Sequence, residues 1–130
     1  MKAIKFLLLY AVIFMLASCK KDPASATVRY EFTATSSATY LLKFAVNNNS
    51  ELSETITGTT WTKTVSMTRA GGTAPTIARL TVYPPATWVG TSNNATVTLK
   101  IFVNDTQEAI TTSMLSGADL NAGVFTIASF

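Results

Sequence analysis

The amino-acid sequence predicts an all-β domain, an antiparallel sandwich of seven to eight short strands. From residue 27 onward the chain is rich in Thr, Ser and Val, which favour strands. Apolar and polar residues alternate over several short segments, the period of a strand with one buried face. Clusters of Asn, Gly and Pro separate these segments and indicate turns. With 130 residues, 48% of them hydrophobic, the chain can bury one core, and it is too apolar for a disordered protein.

The first eighteen residues are typical of a cleaved signal peptide rather than of the folded domain. Lys2 and Lys5 form a short positive start, and an uninterrupted apolar run follows from Phe6 to Ala17. At about 1.5 Å per residue this run is much shorter than the ~30 Å hydrocarbon core of a bilayer. We therefore expect residues 1–18 to be removed.

A short motif at the end of the apolar run predicts a lipid anchor. Leu16-Ala17-Ser18-Cys19 resembles the lipobox of bacterial lipoproteins, in which the cysteine receives a diacylglyceryl group. This resemblance implies that Cys19 becomes the acylated N-terminus, and no other cofactor is expected. The alternatives are an ordinary signal peptide with an incidental cysteine, or an uncleaved anchor.

Residues 19–26 are predicted to be a lipidated tether, followed by the β-sandwich domain at 27–130. The tether is charged at Lys20, Lys21 and Asp22 and then Pro-containing. Lys20 follows the cysteine where an aspartate would signal inner-membrane retention in enterobacterial lipoproteins. The expected location is the cell envelope, exported and anchored in the outer membrane, on either its periplasmic or its surface face.

The first half of the domain predicts four strands. In the opening strand Val28, Tyr30 and Phe32 face one way and Arg29 and Glu31 the other. An Asn-rich turn at 47–50 follows the second strand. The third strand is short and is expected at an edge, and the fourth carries Trp61, Lys63, Val65 and Met67 on one face. The predicted ranges are Thr27–Thr35, Tyr40–Val46, Glu54–Thr57 and Trp61–Arg69.

The second half predicts four more strands, which complete an immunoglobulin-like sandwich. Pro84-Pro85 ends the first of them, because proline cannot donate to a ladder. Asn104-Asp105 is predicted to be a two-residue hairpin turn. Residues 116–121 are predicted to form a loop or one helical turn. The predicted ranges are Thr76–Tyr83, Thr96–Val103, Glu108–Ser113 and Val124–Ser129.

Several segments, taken in order, resemble the extracytoplasmic domain of the MmpS family. Val28-Arg29-Tyr30-Glu31-Phe32-Thr33 is similar to the family's opening strand "V-x-Y-E-V-x-G". Trp61-Thr62-Lys63-Thr64-Val65 is similar to its "P-W-s-k-t-v" strand, and residues 99–105 resemble its "i-x-C-x-I-x-V-D-G" strand and turn. MmpS proteins are accessory proteins of MmpL transporters of the RND class. The resemblance therefore implies a non-enzymatic accessory role.

The chain departs from the MmpS pattern at four points. The domain has no cysteine for the disulfide that members commonly carry, and Asn104-Asp105 replaces Asp-Gly. Thr60 replaces the proline before the tryptophan, and the expected anchor is a lipid rather than a transmembrane helix. Residues of the family are structural, so the resemblance transfers no catalytic site.

Charge and side-chain chemistry argue against several classes of function. The net charge of +3 includes Lys2 and Lys5 of the signal peptide, and no basic stripe suited to nucleic acid follows. The chain has no histidine and one cysteine, so a zinc site or a Ser-His pair is not expected. The carboxylate pairs Glu51/Glu54 and Asp105/Glu108 lie at turns and strand ends. We expect neither a catalytic residue nor a metal ligand, although Asp105 or Asp119 could contribute to a calcium site.

The aromatic residues are the candidates for binding. Trp88 and Tyr83 lie beside Pro84-Pro85 and could present a platform to a sugar ring or a protein partner. The alternative is that Trp88, like Trp61, fills the core. The leading hypothesis is an anchored interaction module that binds an envelope protein, with a surface carbohydrate- or ligand-binding lipoprotein as the alternative. A hydrolase would require converging carboxylates in a pocket.

Overall fold

The computed structural model describes residues 24–118 and 122–130, which form six strands and one short 3-10 turn at Ala86–Trp88. The signal peptide, Cys19 and most of the expected tether lie outside the described residues, as do Asp119 and Asn121. Within the described part, no helix has the length and apolar character needed to cross a membrane. The strands are β1 (Ser25–Asn47), β2 (Ser50–Thr68), β3 (Ile77–Tyr83), β4 (Asn94–Val103), β5 (Thr106–Ser116) and β6 (Val124–Ser129).

The predicted all-β class is confirmed, but the architecture is an antiparallel sheet nearly closed as a barrel. It has six strands where the sequence predicted seven or eight in an immunoglobulin-like sandwich. The difference arises because β1 and β2 each join two segments that we expected to be separate. Ser36-Ser37 and Gly58 interrupt the alternation locally, but pairing between β1 and β2 continues on both sides of them.

Strands β1 and β2 bend at the same level, where their pairing is irregular. The register passes from Thr33 opposite Thr60 to Ala38 opposite Gly58, so β1 contains extra residues at this point. Such an irregularity bends the strand and re-aims the side chains that follow. Gly58 has φ +138°, a conformation that residues with a Cβ rarely adopt. We refer to residues 58 and 59 as the β2 corner.

Strand β1 lies at the centre of the sheet, whose order is β5-β4-β1-β3-β6, and β2 pairs along the other edge of β1. The first half of β1 pairs with β4, from Val28 opposite Val103, and the second half pairs with β3, from Leu41 opposite Tyr83. β5 and β6 approach each other across the remaining gap but share no ladder in the part of the chain that the structure describes. The corner in β1 thus allows one strand to serve both halves of the sheet.

The barrel interior is filled by the apolar side chains that alternation predicted. Tilted aromatic contacts link the halves, with ring centroids 5.0 Å apart for Phe32 and Tyr40 and 5.7 Å apart for Tyr30 and Phe44. The Tyr30 hydroxyl donates to the Ala45 carbonyl at 2.6 Å. Burial raises the pKa of Tyr30, because the charged phenolate would lose its hydration. The largest fully buried side chains are Tyr30, Tyr40, Phe32, Phe44, Leu42, Met67, Leu80, Leu99, Ile101, Leu115, Val28 and Val82.

The predicted turns at both hairpins are present. Residues 48 and 49 form the turn between β1 and β2. Asn104 and Asp105 connect β4 to β5 with φ +49° and +66°, as a two-residue type I′ turn requires. The Asn104 side chain also accepts a hydrogen bond from the Thr27 N–H at 3.0 Å. This hairpin tip is therefore attached to the start of β1.

Candidate functional site

Two of the described carboxylates, those of Glu31 and Glu54, form ion pairs on the strands. Glu31 forms an ion pair with Arg29, its neighbour on the outer face of β1. Glu54, on β2, lies opposite the inward-facing Leu42 and forms an ion pair with Lys63 of the same strand. Within residues 24–118 and 122–130, no group of three or more His, Cys, Asp or Glu side chains could hold a metal ion.

Trp61 and Glu54 hold the β2 corner closed. The Trp61 Nε1 donates to the Glu54 carboxylate at 3.0 Å, and the Lys63 Nζ donates to it at 2.5 Å. The Trp61 ring contacts Phe44, with centroids 5.4 Å apart. These hydrogen bonds lower the pKa of the Glu54 carboxyl, and the one from Lys63 has the larger effect. The half-buried Trp61 ring thus joins the two arms of β2 to the core.

Trp88 lies inside the barrel end and not on its surface. Its side chain is 7% exposed and meets Tyr40 edge-on, with ring centroids 5.9 Å apart. Its carbonyl accepts hydrogen bonds from the N–H and the hydroxyl of Thr91, at 2.9 and 2.7 Å. The backbone of Gly117 passes so close that a Cβ there would overlap the Trp88 carbonyl oxygen. The indole ring is therefore not available to a ligand.

Tyr83 is half-buried on the outer surface of the sheet, where β1, β3 and β6 lie side by side. Its backbone is opposite Leu41, and the Lys43 ammonium lies 5.2 Å from the centroid of its ring, within cation–π range. Thr81 is opposite Phe125, whose side chain is 56% exposed. We call this surface the Tyr83 face. It consists of Leu41, Lys43, Arg79, Thr81, Tyr83, Phe125 and Ile127.

Two open depressions flank the Tyr83 ring. One, of about 310 Å³, is lined by Arg79, Thr81, Tyr83, Gly123 and Phe125. The other, of about 430 Å³, is more apolar and lies between Leu41 and the Pro84-Pro85 segment, with Thr39, Thr55, Ala86 and Thr87 completing it. These volumes lie in the lower part of the range for small-molecule sites. Tyr83 is thus the one residue that lines both depressions.

The Tyr83 face is positively charged as well as apolar. In the described part of the chain, neither Lys43 nor Arg79 has an acidic oxygen within 4.0 Å. Exposed cations beside an aromatic ring suit a partner that carries anionic or hydroxyl oxygens. The Tyr83 face therefore combines apolar, aromatic and cationic side chains on one surface.

The sequence analysis singled out Tyr83 as a candidate but none of its neighbours on this face. Val124, Thr126 and Ala128 alternate with the larger Phe125 and Ile127 in β6, and both sets are compatible with a core face. Pairing with β3 determines which set faces outward, because Phe125 lies opposite Thr81 on the outer surface. Only that pairing reveals that β6 presents its bulky residues to solvent.

No family model matches this chain, and no curated protein matches it in sequence. The resemblance to the MmpS family therefore remains a prediction from the quoted segments.

Proposed function

We propose that this protein is a non-enzymatic binding module, anchored to a membrane by a lipid on Cys19, which binds an envelope protein through the Tyr83 face. The observation that carries the proposal is the exposure of Phe125 and Leu41 around the half-buried Tyr83 on one surface, beside Lys43 and Arg79. Aromatic side chains and arginine are enriched in protein interfaces, whereas scattered exposed apolar residues need no explanation.

The exposed apolar side chains of β6 strengthen this proposal. Phe125 is 56% exposed and Ile127 41% exposed, on adjacent outward positions of one strand. Apolar area that is removed from water contributes about 25 cal/mol per Å². Since the inward positions of β6 are small, the large outward residues are not needed to fill the core. A partner that covers them would gain this burial.

The expected anchor would place Tyr83 at the end of β3 that is far from the tether. Lys20 to Ala24 are five residues, which span at most about 18 Å when fully extended. The Ala24 carbonyl accepts a hydrogen bond from Arg69, and Thr76 is bonded to Phe130 at the start of β3. Tyr83 ends β3, about 20 Å along the strand from that start. A tether this short would confine the module and raise its effective concentration near a membrane partner.

The MmpS resemblance makes a transporter of the RND class the specific candidate partner. This part of the proposal rests on the sequence segments alone. It has the same mechanism, in which a module on a lipid tether binds to the extracytoplasmic part of a permease.

Site-specific photo-crosslinking in cells tests the proposal. A photoreactive residue at position 81 lies within the Tyr83 face, and one at position 112 lies on the outer surface of β5 as the matched control. We expect position 81 to capture a distinct envelope protein that position 112 does not. The same products from both positions, or none from position 81, would contradict docking through this face. A permease among the specific products would identify the transporter role.

A surface carbohydrate- or ligand-binding lipoprotein is the second candidate, and the depressions beside the Tyr83 ring favour it. The ring can stack on a sugar, while Arg79 and Thr81 can donate hydrogen bonds to its oxygens. Glycan-array binding that Tyr83→Ala removes and Val89→Ala retains would support this candidate. Val89 is 50% exposed but does not line the depressions. Binding that both variants retain would exclude the Tyr83 face as a glycan site.

A further inference from the structure

Among residues 24–118 and 122–130, no strand pairs with the second edge of β2 at any point along its length. It contains 19 residues and pairs with β1 alone, and no other described backbone hydrogen bond involves it. Proteins usually protect such an edge with a proline, a short strand or an unpaired charge, because free N–H and C=O groups attract another strand. β2 has no proline, Glu54 neutralises Lys63, and the remaining charge, Glu51, lies at the second residue of the strand, away from its centre. The edge is therefore open to strand addition.

The β2 corner determines which register an added strand can take. β1 and β2 bend together, so a further strand can follow β2 over both arms only if it bends at the same level. A second β2, antiparallel and related by a two-fold axis, meets this condition when its own corner lies at that level. Gly58 of one copy then faces Thr59 of the other. This arrangement is isologous, as expected of a closed dimer.

In this register the side chains of β2 are complementary to those of a second copy. Glu54 faces Lys63, Ile56 faces Trp61, and Leu52 faces Val65. Threonines or serines face one another at the alternate positions, as Thr57 with Thr60, Thr55 with Thr62, and Ser53 with Thr64. Opposite charges, apolar pairs and Thr–Thr pairs all stabilise neighbouring strands.

The two faces of the sheet also agree in this register. Glu54 and Ile56 lie opposite Leu42 and Tyr40 of β1, which point into the barrel. Trp61 and Lys63 lie opposite Phe32 and Tyr30, which do the same. Even-numbered residues before the corner and odd-numbered residues after it therefore share the inner side. In the proposed register, an inner residue before the corner of one copy lies opposite an inner residue after the corner of the other copy. This match depends on the corner, because the corner changes which residues, even- or odd-numbered, point inward.

We propose that two copies of this chain associate through antiparallel pairing of their β2 strands, with Gly58 of one copy opposite Thr59 of the other. The pairing extends the sheet across both molecules and covers Leu52, which is 52% exposed in the single chain. The Glu54–Lys63 ion pair of each copy then lies beside that of the other with opposite charges adjacent, and this complementarity specifies a second copy in preference to an unrelated strand. The inference is independent of the Tyr83 face and of the lipid.

Disulfide crosslinking of the full-length chain in cells tests the register. Directly opposite residues have Cα atoms about 4.5–5.5 Å apart, within the range that a disulfide can bridge. Ser53→Cys combined with Thr64→Cys should give a covalent dimer on non-reducing gels. Ser53→Cys combined with Thr60→Cys should not, because Thr60 lies four residues out of register. The unsubstituted chain controls for Cys19. Equal dimer from both pairs, or none from the first, would overturn the proposal.

A charge exchange tests the association without crosslinks. Thr55→Lys with Thr62→Lys places like charges opposite each other, and Thr55→Glu with Thr62→Lys places opposite charges there. In sedimentation of the full-length chain in detergent, we expect the first variant to shift from two copies to one and the second to remain at two. Circular dichroism of each variant checks that it is folded. Pairing through β2 would be contradicted if both folded variants remained at two copies, or if both shifted to one copy.

Discussion

Glu54 joins two parts of one strand that are distant in sequence. Its carboxylate accepts hydrogen bonds from Lys63 and Trp61, which belong to the other arm of β2. Because the Glu54 side chain is 35% exposed, solvent screens the ion pair and its net contribution is modest. Its geometric effect is larger, since it keeps Trp61 against Phe44 and closes the corner.

The lowered pKa of Glu54 predicts a pH-dependent loss of stability. A depressed pKa in the folded state means that the stabilisation is present above the ordinary glutamate value, about 4.3, and is lost as pH falls through the lower folded value. The difference in unfolding free energy between the wild type and Glu54→Gln should therefore shrink below that pH. Urea unfolding over an acidic pH series measures it. A difference that stays constant over the acidic series for Glu54→Gln would refute the prediction.

Trp88 is predicted to be a structural residue. Replacing a buried tryptophan with alanine leaves a cavity, so Trp88→Ala should lower the unfolding free energy by about 3–5 kcal/mol. Val89→Ala is the adjacent control and should cost little, because half of that side chain is in solvent. Chemical denaturation of both variants decides between core packing and surface exposure. A small effect of Trp88→Ala would show that the ring is free to bind.

At the scale of elements, the β4–β5 hairpin depends on one asparagine. Asn104 adopts a positive φ and accepts a hydrogen bond from the Thr27 N–H. Asn104→Ala should lower the unfolding free energy by about 1–2 kcal/mol, since alanine tolerates the left-handed region poorly. Gln107→Ala, which removes no described side-chain hydrogen bond, serves as the control. Thermal unfolding of the two variants measures the difference, and equal transitions would show that the turn tolerates alanine.

The elements show what local patterns can and cannot predict. The hairpin at Asn104-Asp105 and the end of β3 at Pro84 depend on the intrinsic conformations of those residues, so the sequence predicts them. Ser36-Ser37 and Gly58 resemble turns when considered alone, but a partner strand carries the pairing across them. Continuity of β1 and β2 is thus a property of their ladder. For the same reason, the outward face of β6 and most of the Tyr83 face could not be read from the chain.

At the scale of the whole molecule, stability should be uneven across the sheet. β1 is paired on both edges, whereas β5 and β6 each have one ladder in the described part of the chain. Amide hydrogens of Tyr30 and Phe32 should exchange only through global unfolding, while those at the outer edges of β5 and β6 should exchange faster. Hydrogen exchange resolved by residue measures this order. Equal protection throughout would indicate that the gap between β5 and β6 is closed by pairing.

The central position of β1 also affects how the chain reaches its fold. The first half of this strand can complete its pairing only when β4 is available, because Val28 is opposite Val103, 75 positions later in the sequence. Closing so long a loop costs entropy before any contact compensates for it, and sheets built from such distant pairs fold slowly. β1 and β2 can meet early as a hairpin, but their apolar side then stays uncovered until β3 and β4 arrive. A newly made molecule therefore passes through a period in which it is vulnerable to aggregation, and its yield should depend on what shelters that hairpin.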